Sequence, residues 1–165
     1  MEDGGSEMLD RASKSMDDPL EEERDMTPLT ADDRFEINEK LSLLGHLVDS
    51  GQVDRLEEVF TADAVYDLAD VGMGSIQGVE AIRQGALRLG AHGPVAHHLT
   101  NVVITGEDDD VVSVLSKGFL LMADGTVQSL VHQDVVVRAD GGWRVSRHVI
   151  TAQRAPMGGN HPATA

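Results

Sequence analysis

A chain of 165 residues is long enough for one domain and little more, and it contains no cysteine, which excludes disulfides, a thiolate nucleophile and any Cys-ligated zinc or iron–sulfur site. Its 13 basic against 29 acidic residues leave a net charge of −16, a surface that repels nucleic acid and anionic lipid. No apolar run approaches the roughly 20 residues needed to span a bilayer and no basic-then-apolar leader opens the sequence, so the reading is a cytoplasmic protein with no nucleic-acid and no membrane partner.

Residues 1–29 read as a disordered acidic tail. They are too poor in large apolar side chains to offset the entropy of ordering, and residues 1–30 hold ten acids against three bases. One domain is placed at 30–155. Residues 156–165, with Gly158, Gly159 and Pro162, read as a flexible C-terminal tail. Thr30-Ala31-Asp32-Asp33 has the form of a capping box, with a hydroxyl at the N-cap and a carboxylate three residues on. Ile37, Leu41, Leu44 and Val48 then recur at helical spacing, Leu43 and Leu47 widen the stripe, and Gly51 stops the helix. A short second helix is predicted over Val53–Phe60 and a strand over Ala64–Leu68. Gly72, Gly74 and Gly78 mark a bend around an extended Ser75–Gln77, and a third helix follows over Val79–Leu89.

After Pro94 the period changes from helical to alternating. Val95–Thr105, Val111–Met122, Thr126–Arg138 and Trp143–Ala152 are strand candidates, joined by short links rich in Asp and Gly. Four strands with short joins predict an antiparallel meander. Helix, helix, strand, bend, helix and four strands make an α+β pattern.

Several segments resemble the SnoaL-like family of the nuclear-transport-factor-2-like superfamily. Val48 to Leu56 looks like its helix-to-helix corner, Phe60 to Tyr66 like the entry to its first strand, and Gly78 to Ile82 like the start of its third helix. His97-His98-Leu99-Thr100-Asn101 resembles its histidine-bearing strand, and Asp134 to Trp143 the hairpin into its last strand. The resemblance implies a cone-shaped curved antiparallel sheet wrapped around a long N-terminal helix, with a small-molecule pocket open at one end. Relatives include scytalone dehydratase, bile-acid dehydratase, ketosteroid isomerase and polyketide cyclases. By the same analogy the chain is expected to be a homodimer joined through the outer sheet face.

The resemblance also singles out Asp49 and a histidine. In dehydratases and a dehydrochlorinase of the superfamily, an aspartate at the position of Asp49 orients or charges a pocket histidine. The plainer reading is that Asp49 or Ser50 caps the second helix. Neighbouring strand residues face opposite ways, so only one of His97 and His98 can enter the pocket. Aligning on Thr100-Asn101 selects His97, with Leu99 and Asn101 on its face, and a slip of one residue would select His98 instead. A His–Asp dyad suits acid–base chemistry, since imidazole titrates near neutral pH and a carboxylate fixes its tautomer. His132, which shares a strand face with Leu130 and Asp134, is an alternative catalytic histidine, and Arg138 matches a region where the dehydrochlorinase has a pocket arginine. Leu44, Val48, Leu99 and Met122 are the expected apolar wall, and Tyr66 or Asn101 could polarise a carbonyl. The chain departs from the dehydratases at Leu44 and Val48, where those enzymes carry tyrosines. No metal site is expected, because HExxH and His-x-His spacings are missing and His97 and His98 point apart.

The function expected is that of a cofactor-independent lyase, isomerase or cyclase acting by His/Asp acid–base chemistry on an apolar, carbonyl-bearing small molecule such as a polyketide or terpenoid. The alternatives are a non-catalytic small-molecule-binding protein and a structural partner subunit of a larger enzyme.

Overall fold

A computed structural model describes residues 28–156. Apart from residues 28, 29 and 156, the two predicted tails lie outside the described residues. The first helix, α1, spans Ala31–Asp49 and starts as its sequence predicts. The Thr30 hydroxyl accepts from the Asp33 amide, and the Asp33 carboxylate accepts from the Thr30 amide. These bonds satisfy amides that a helix start otherwise leaves open. Ile37, Leu41 and Leu47 are fully buried, and Leu43, Leu44 and Val48 pack at the edge of the same core.

After α1 the chain forms strand β1 (Phe60–Leu68), edge strand β2 (Gly74–Gln77), helix α2 (Val79–Leu89), and then β3 (Ala96–Asp108), β4 (Val111–Leu121), β5 (Val127–Ala139) and β6 (Gly142–Ala152). All six strands join one curved, unclosed sheet in the order β2-β1-β6-β5-β4-β3. The meander β3–β6 is antiparallel, as expected. The sheet is not wholly antiparallel, however, because β1 lies parallel to β6. The long stretch between them, which includes α2 and four strands, supplies the crossover that a parallel pair needs.

The predicted second helix is a correction of the same origin. It is a six-residue 3₁₀ turn, Val53–Glu58, and Phe60 already belongs to β1. The Val59 carbonyl accepts from the Val145 amide of β6 at 2.7 Å, so the sheet takes a group that a longer helix would have kept.

The start of α1 is tied to the far end of the meander. One Asp33 oxygen accepts from the Trp143 indole N–H at 2.9 Å and from Arg138 at 3.0 Å. Glu36 accepts from the Trp143 amide at 3.0 Å. The Arg138 guanidinium lies 4.4 Å over the Trp143 ring and also bonds Asp110. These donors hold the Asp33 carboxyl well below the usual carboxylate range, with the Thr30 hydroxyl the largest contributor and the Trp143 indole next. Trp143 itself is completely buried.

Farther along, α1 comes down directly on β3. A Cβ at Gly45 would stand 2.9 Å from the His97 carbonyl oxygen, so only glycine lets the helix approach that closely. This gives a paired test. Gly85→Ala in α2 meets only flexible side-chain ends, the Cδ1 of Ile76 at 3.1 Å and Nη2 of Arg88 at 4.0 Å. It is expected to keep most of the helix-propensity gain of about 1 kcal/mol. Gly45→Ala brings the same gain but pushes helix from strand, and should destabilise by about 1–3 kcal/mol net. Urea denaturation of both variants checks this. A Gly45→Ala chain as stable as Gly85→Ala would show that the helix is not clamped on β3.

Candidate functional site

The last residue of α1 and the second residue of β3 meet at the end of the sheet opposite Trp143. His97 Nδ1 lies 2.6 Å from Asp49 Oδ1, and the His97 backbone N–H donates to Asp49 Oδ2 at 2.9 Å. One carboxylate therefore holds both the backbone and the ring of the same histidine. An ionised carboxylate can only accept, so Nδ1 carries a proton, and in the neutral ring it is Nε2 that holds the lone pair. Both side chains are partly open to solvent, His97 at 28 % and Asp49 at 26 % exposure. Asp49 does not cap the following turn, whose N-cap, Gln52, makes no side-chain capping bond. Its place at a helix C-terminus, where negative charge is disfavoured, is offset by these two donors.

Deeper in the fold is a second pair that the sequence reading did not assemble. His148 Nδ1 lies 2.5 Å from Asp134 Oδ1, and both residues are almost completely buried. The ring of Tyr66 lies 4.7 Å from that of His148, and the ring of His132 lies 5.0 Å from it on another side. Ser116 stands directly opposite His132 across the β4–β5 ladder. Burial pushes the Tyr66 hydroxyl above its ordinary pKa, with the Asp134 charge adding to the effect, so Tyr66 stays a neutral donor. Among the described residues, no group of three or more His, Asp or Glu side chains is placed to hold a metal ion.

Of the predicted site residues, His97 faces inward with Leu99, which packs on the core. His98 lies on the outer face, stacked 4.4 Å from Phe119, and is corrected as a pocket candidate. Asn101 is also corrected. It has φ +53 at a bulge in β3, is exposed, and leaves the inward phase to Val102 and Ile104. Tyr66 belongs with the inner pair, beside His148. Leu44 and Val48 pack against the core, whereas Met122 is half-buried in the β4–β5 turn. Arg138 is bound to Asp33 at the opposite end of α1, a helix roughly 28 Å long, and takes no part in the site.

The cavities differ from the expected pocket as well. One of about 410 Å³ lies on the outer sheet face around Ser113, Leu115, Gln133 and Arg147. Another of about 200 Å³ lies between α1 and β3. Neither is lined by Asp49 or His97. On the inner side, the ring of His132 fills the place a side chain at Gly118 would take, since a Cβ there would stand 2.7 Å from His132 Nε2.

The inner pair was hidden by a bulge. Strict alternation from Trp143 and Val145 would turn Arg147 inward. The β5–β6 register shifts between Val135 and Val136, Arg147 turns out towards Asp67, and His148 turns in. The inward phase of His132 and Asp134 was readable from the pattern of β5, but their partner was not.

Burial holds His132 down to about 4, helped by the charges of His148 and His97 and opposed by Asp134. An unfolded histidine titrates near 6.5, so between these values the folded chain binds fewer protons than the unfolded one. The stability this contributes is complete above about 6.5 and is lost as pH falls towards 4, by up to about 1.4 kcal/mol per pH unit. Urea denaturation through that window should show a shallower pH dependence for His132→Gln than for the unaltered chain. Parallel curves would show that His132 is not the group responsible.

A model of the SnoaL-like domain matches residues 29–149 of the chain. No curated protein matches it. Among solved structures, a protein of Novosphingobium aromaticivorans provisionally named an aromatic ring hydroxylase is 27 % identical, with a TM-score of 0.67, covering 78 % of this chain and 94 % of its own. An NTF2-like protein with a cystatin-like fold from the same organism is 28 % identical, with a TM-score of 0.61, over 76 % and 85 % of the two chains. A third protein of that organism, provisionally named a scytalone dehydratase, shares the fold at 17 % identity and a TM-score of 0.60, over 72 % and 83 %. With the helix and six-stranded sheet in place and the family model covering most of the domain, the chain belongs to the SnoaL-like family of the nuclear-transport-factor-2-like superfamily.

Proposed function

We propose that this chain is a cofactor-independent lyase, isomerase or cyclase in which His97 is the general acid/base and Asp49 its orienting partner. The substrate class is an apolar, carbonyl-bearing small molecule such as a polyketide or terpenoid. The observation that carries the reading is the 2.6 Å contact between His97 Nδ1 and Asp49, which leaves Nε2 free. A free Nε2 can take a proton from carbon next to a carbonyl, or return one to a leaving oxygen, while the carboxylate stabilises the imidazolium formed. The family and a fold neighbour named for dehydratase activity are consistent with such chemistry. Leu44 and Val48, where the dehydratases carry tyrosines, favour a second reading in which the same interior only holds a ligand.

Deuterium incorporation next to the carbonyl of candidate substrates, followed by NMR in heavy water, separates the two readings. His97→Ala and Asp49→Asn should each lower the exchange rate by about two orders of magnitude or more, the usual worth of an acid–base group. His98→Ala, on the outer face, should leave it unchanged. Undiminished exchange in His97→Ala would remove the catalytic reading.

We also propose that two copies join through the outer sheet face. Val103, Val111, Leu115, Phe119 and Val127 are all exposed there, and Val103 pairs directly with Leu115. Such a run of apolar groups costs free energy if left in water. Light scattering is expected to give twice the chain mass, and Leu115→Glu the single-chain mass. A clean single-chain mass for the unaltered protein at high concentration would overturn the dimer.

A further inference from the structure

The inner group of polar side chains is not used by the His97–Asp49 chemistry. Ser116, Asp134 and His132 are 1 %, 2 % and 8 % exposed, all on the inward phase of β4 and β5. Ser116 Oγ, both ring nitrogens of His132 and Asp134 Oδ2 find no hydrogen-bond partner among the described residues. A buried polar atom without a partner is costly, and three neighbouring side chains in that condition mark a place built for something else. They are neighbours by register, since Ser116 pairs with His132 and Asp134 pairs with both Val114 and His148. The His132 ring lies over the bare Gly118, where a Cβ would also stand 3.2 Å from the His98 carbonyl on β3, the residue next to His97.

We propose that Ser116, His132 and Asp134 form a subsite that takes a neutral hydroxyl group of a small apolar ligand, such as an alcohol, enol or phenol presents. The chemistry of the three groups selects this class. The free Asp134 oxygen only accepts, so the ligand must donate to it. The Ser116 hydroxyl and the one N–H of a neutral imidazole donate, so the ligand must also accept. A hydroxyl does both, a bare carbonyl cannot donate, and a carboxylate would face the Asp134 charge. The cations of these strands offer no counter-charge, since Lys117, Arg144 and Arg147 lie on the outward phase and Arg138 is bound to Asp33 and Asp110 at the far end of the sheet. The pairing of His148 with Asp134 Oδ1 holds the carboxylate in place and leaves Oδ2 to the ligand. This deepens the reading given above and rests on it for the ligand's entry past His97.

The test uses three probes that share a ring and differ in one group: phenol, benzene and benzoate. Each is titrated into the full chain labelled with nitrogen-15, and the histidine ring nitrogens are followed by NMR. Phenol at millimolar concentration should shift the His132 nitrogens saturably, whereas benzene and benzoate should not. Ser116→Ala should weaken phenol by about threefold to tenfold, the worth of one neutral hydrogen bond. The same variant should be as stable to urea as the unaltered chain or more so, because it removes a buried hydroxyl that the free protein leaves without a partner. Equal shifts from benzene, no shift at His132, or a less stable Ser116→Ala would each overturn the subsite. Repeating the titration on His97→Ala separates the two readings. If phenol binding persists while exchange activity is intact, only the catalytic role of His97 fails. If phenol binding is missing from both chains, the subsite fails on its own.

Discussion

A single helix strung between two carboxylates sets the geometry of this protein. Asp33 ties the start of α1 to Trp143 and Arg138 at one end of the sheet, and Asp49 ties its last residue to His97 at the other. Between them Ile37, Leu41 and Leu47 fill the concave face, and Gly45 lets helix and strand touch. Burial of these side chains supplies most of the attraction, at about 1.5–3 kcal/mol for each large apolar group. That attraction has no direction along the helix axis. The two carboxylates supply the direction, fixing how far α1 slides and therefore where Asp49 meets β3.

The two His–Asp pairs differ in setting more than in composition. His97–Asp49 lies partly open to water at the helix end, where a ring nitrogen can meet an incoming molecule. His148–Asp134 is walled in by Tyr66, Phe60 and His132. A paired charge in such a place adds little net stability compared with apolar residues of the same size, because desolvation offsets the attraction. Ser116, His132 and Asp134 add further unpartnered atoms. A core that carries these groups is less stable than it need be, which is what a site for a polar ligand group requires.

Much of this was legible in the chain itself. The capping box at Thr30, the apolar stripe of α1 and the alternating strands after Pro94 are local patterns, each decided within a few residues by hydrogen bonding and side-chain period. The same local reading, joined to the family resemblance, put Asp49 with His97 rather than His98. It went wrong where a distant strand competes for a backbone group. The 3₁₀ turn at Val53–Glu58 ends where β6 takes the Val59 carbonyl, and the parallel pairing of β1 with β6 has no sequence signature.

The facing of individual side chains divides along the same line. The residues of β4 and the inner half of β5 keep strict alternation, so the inward places of Ser116, His132 and Asp134 follow from their spacing alone. On β3 and β6 a bulge inserts one residue and reverses the facing of the residues that follow, until on β3 a second shift between Ile104 and Gly106 reverses it again. That reversal removes Asn101 from the interior and brings in His148. A bulge arises from how two twisted strands accommodate each other across a curved sheet, and neither strand's own sequence records it. The sequence thus determined the helix, the strands and the acid–base residue types. Only the packed sheet decided which of them share an interior, because facing depends on a register set between strands far apart in the chain.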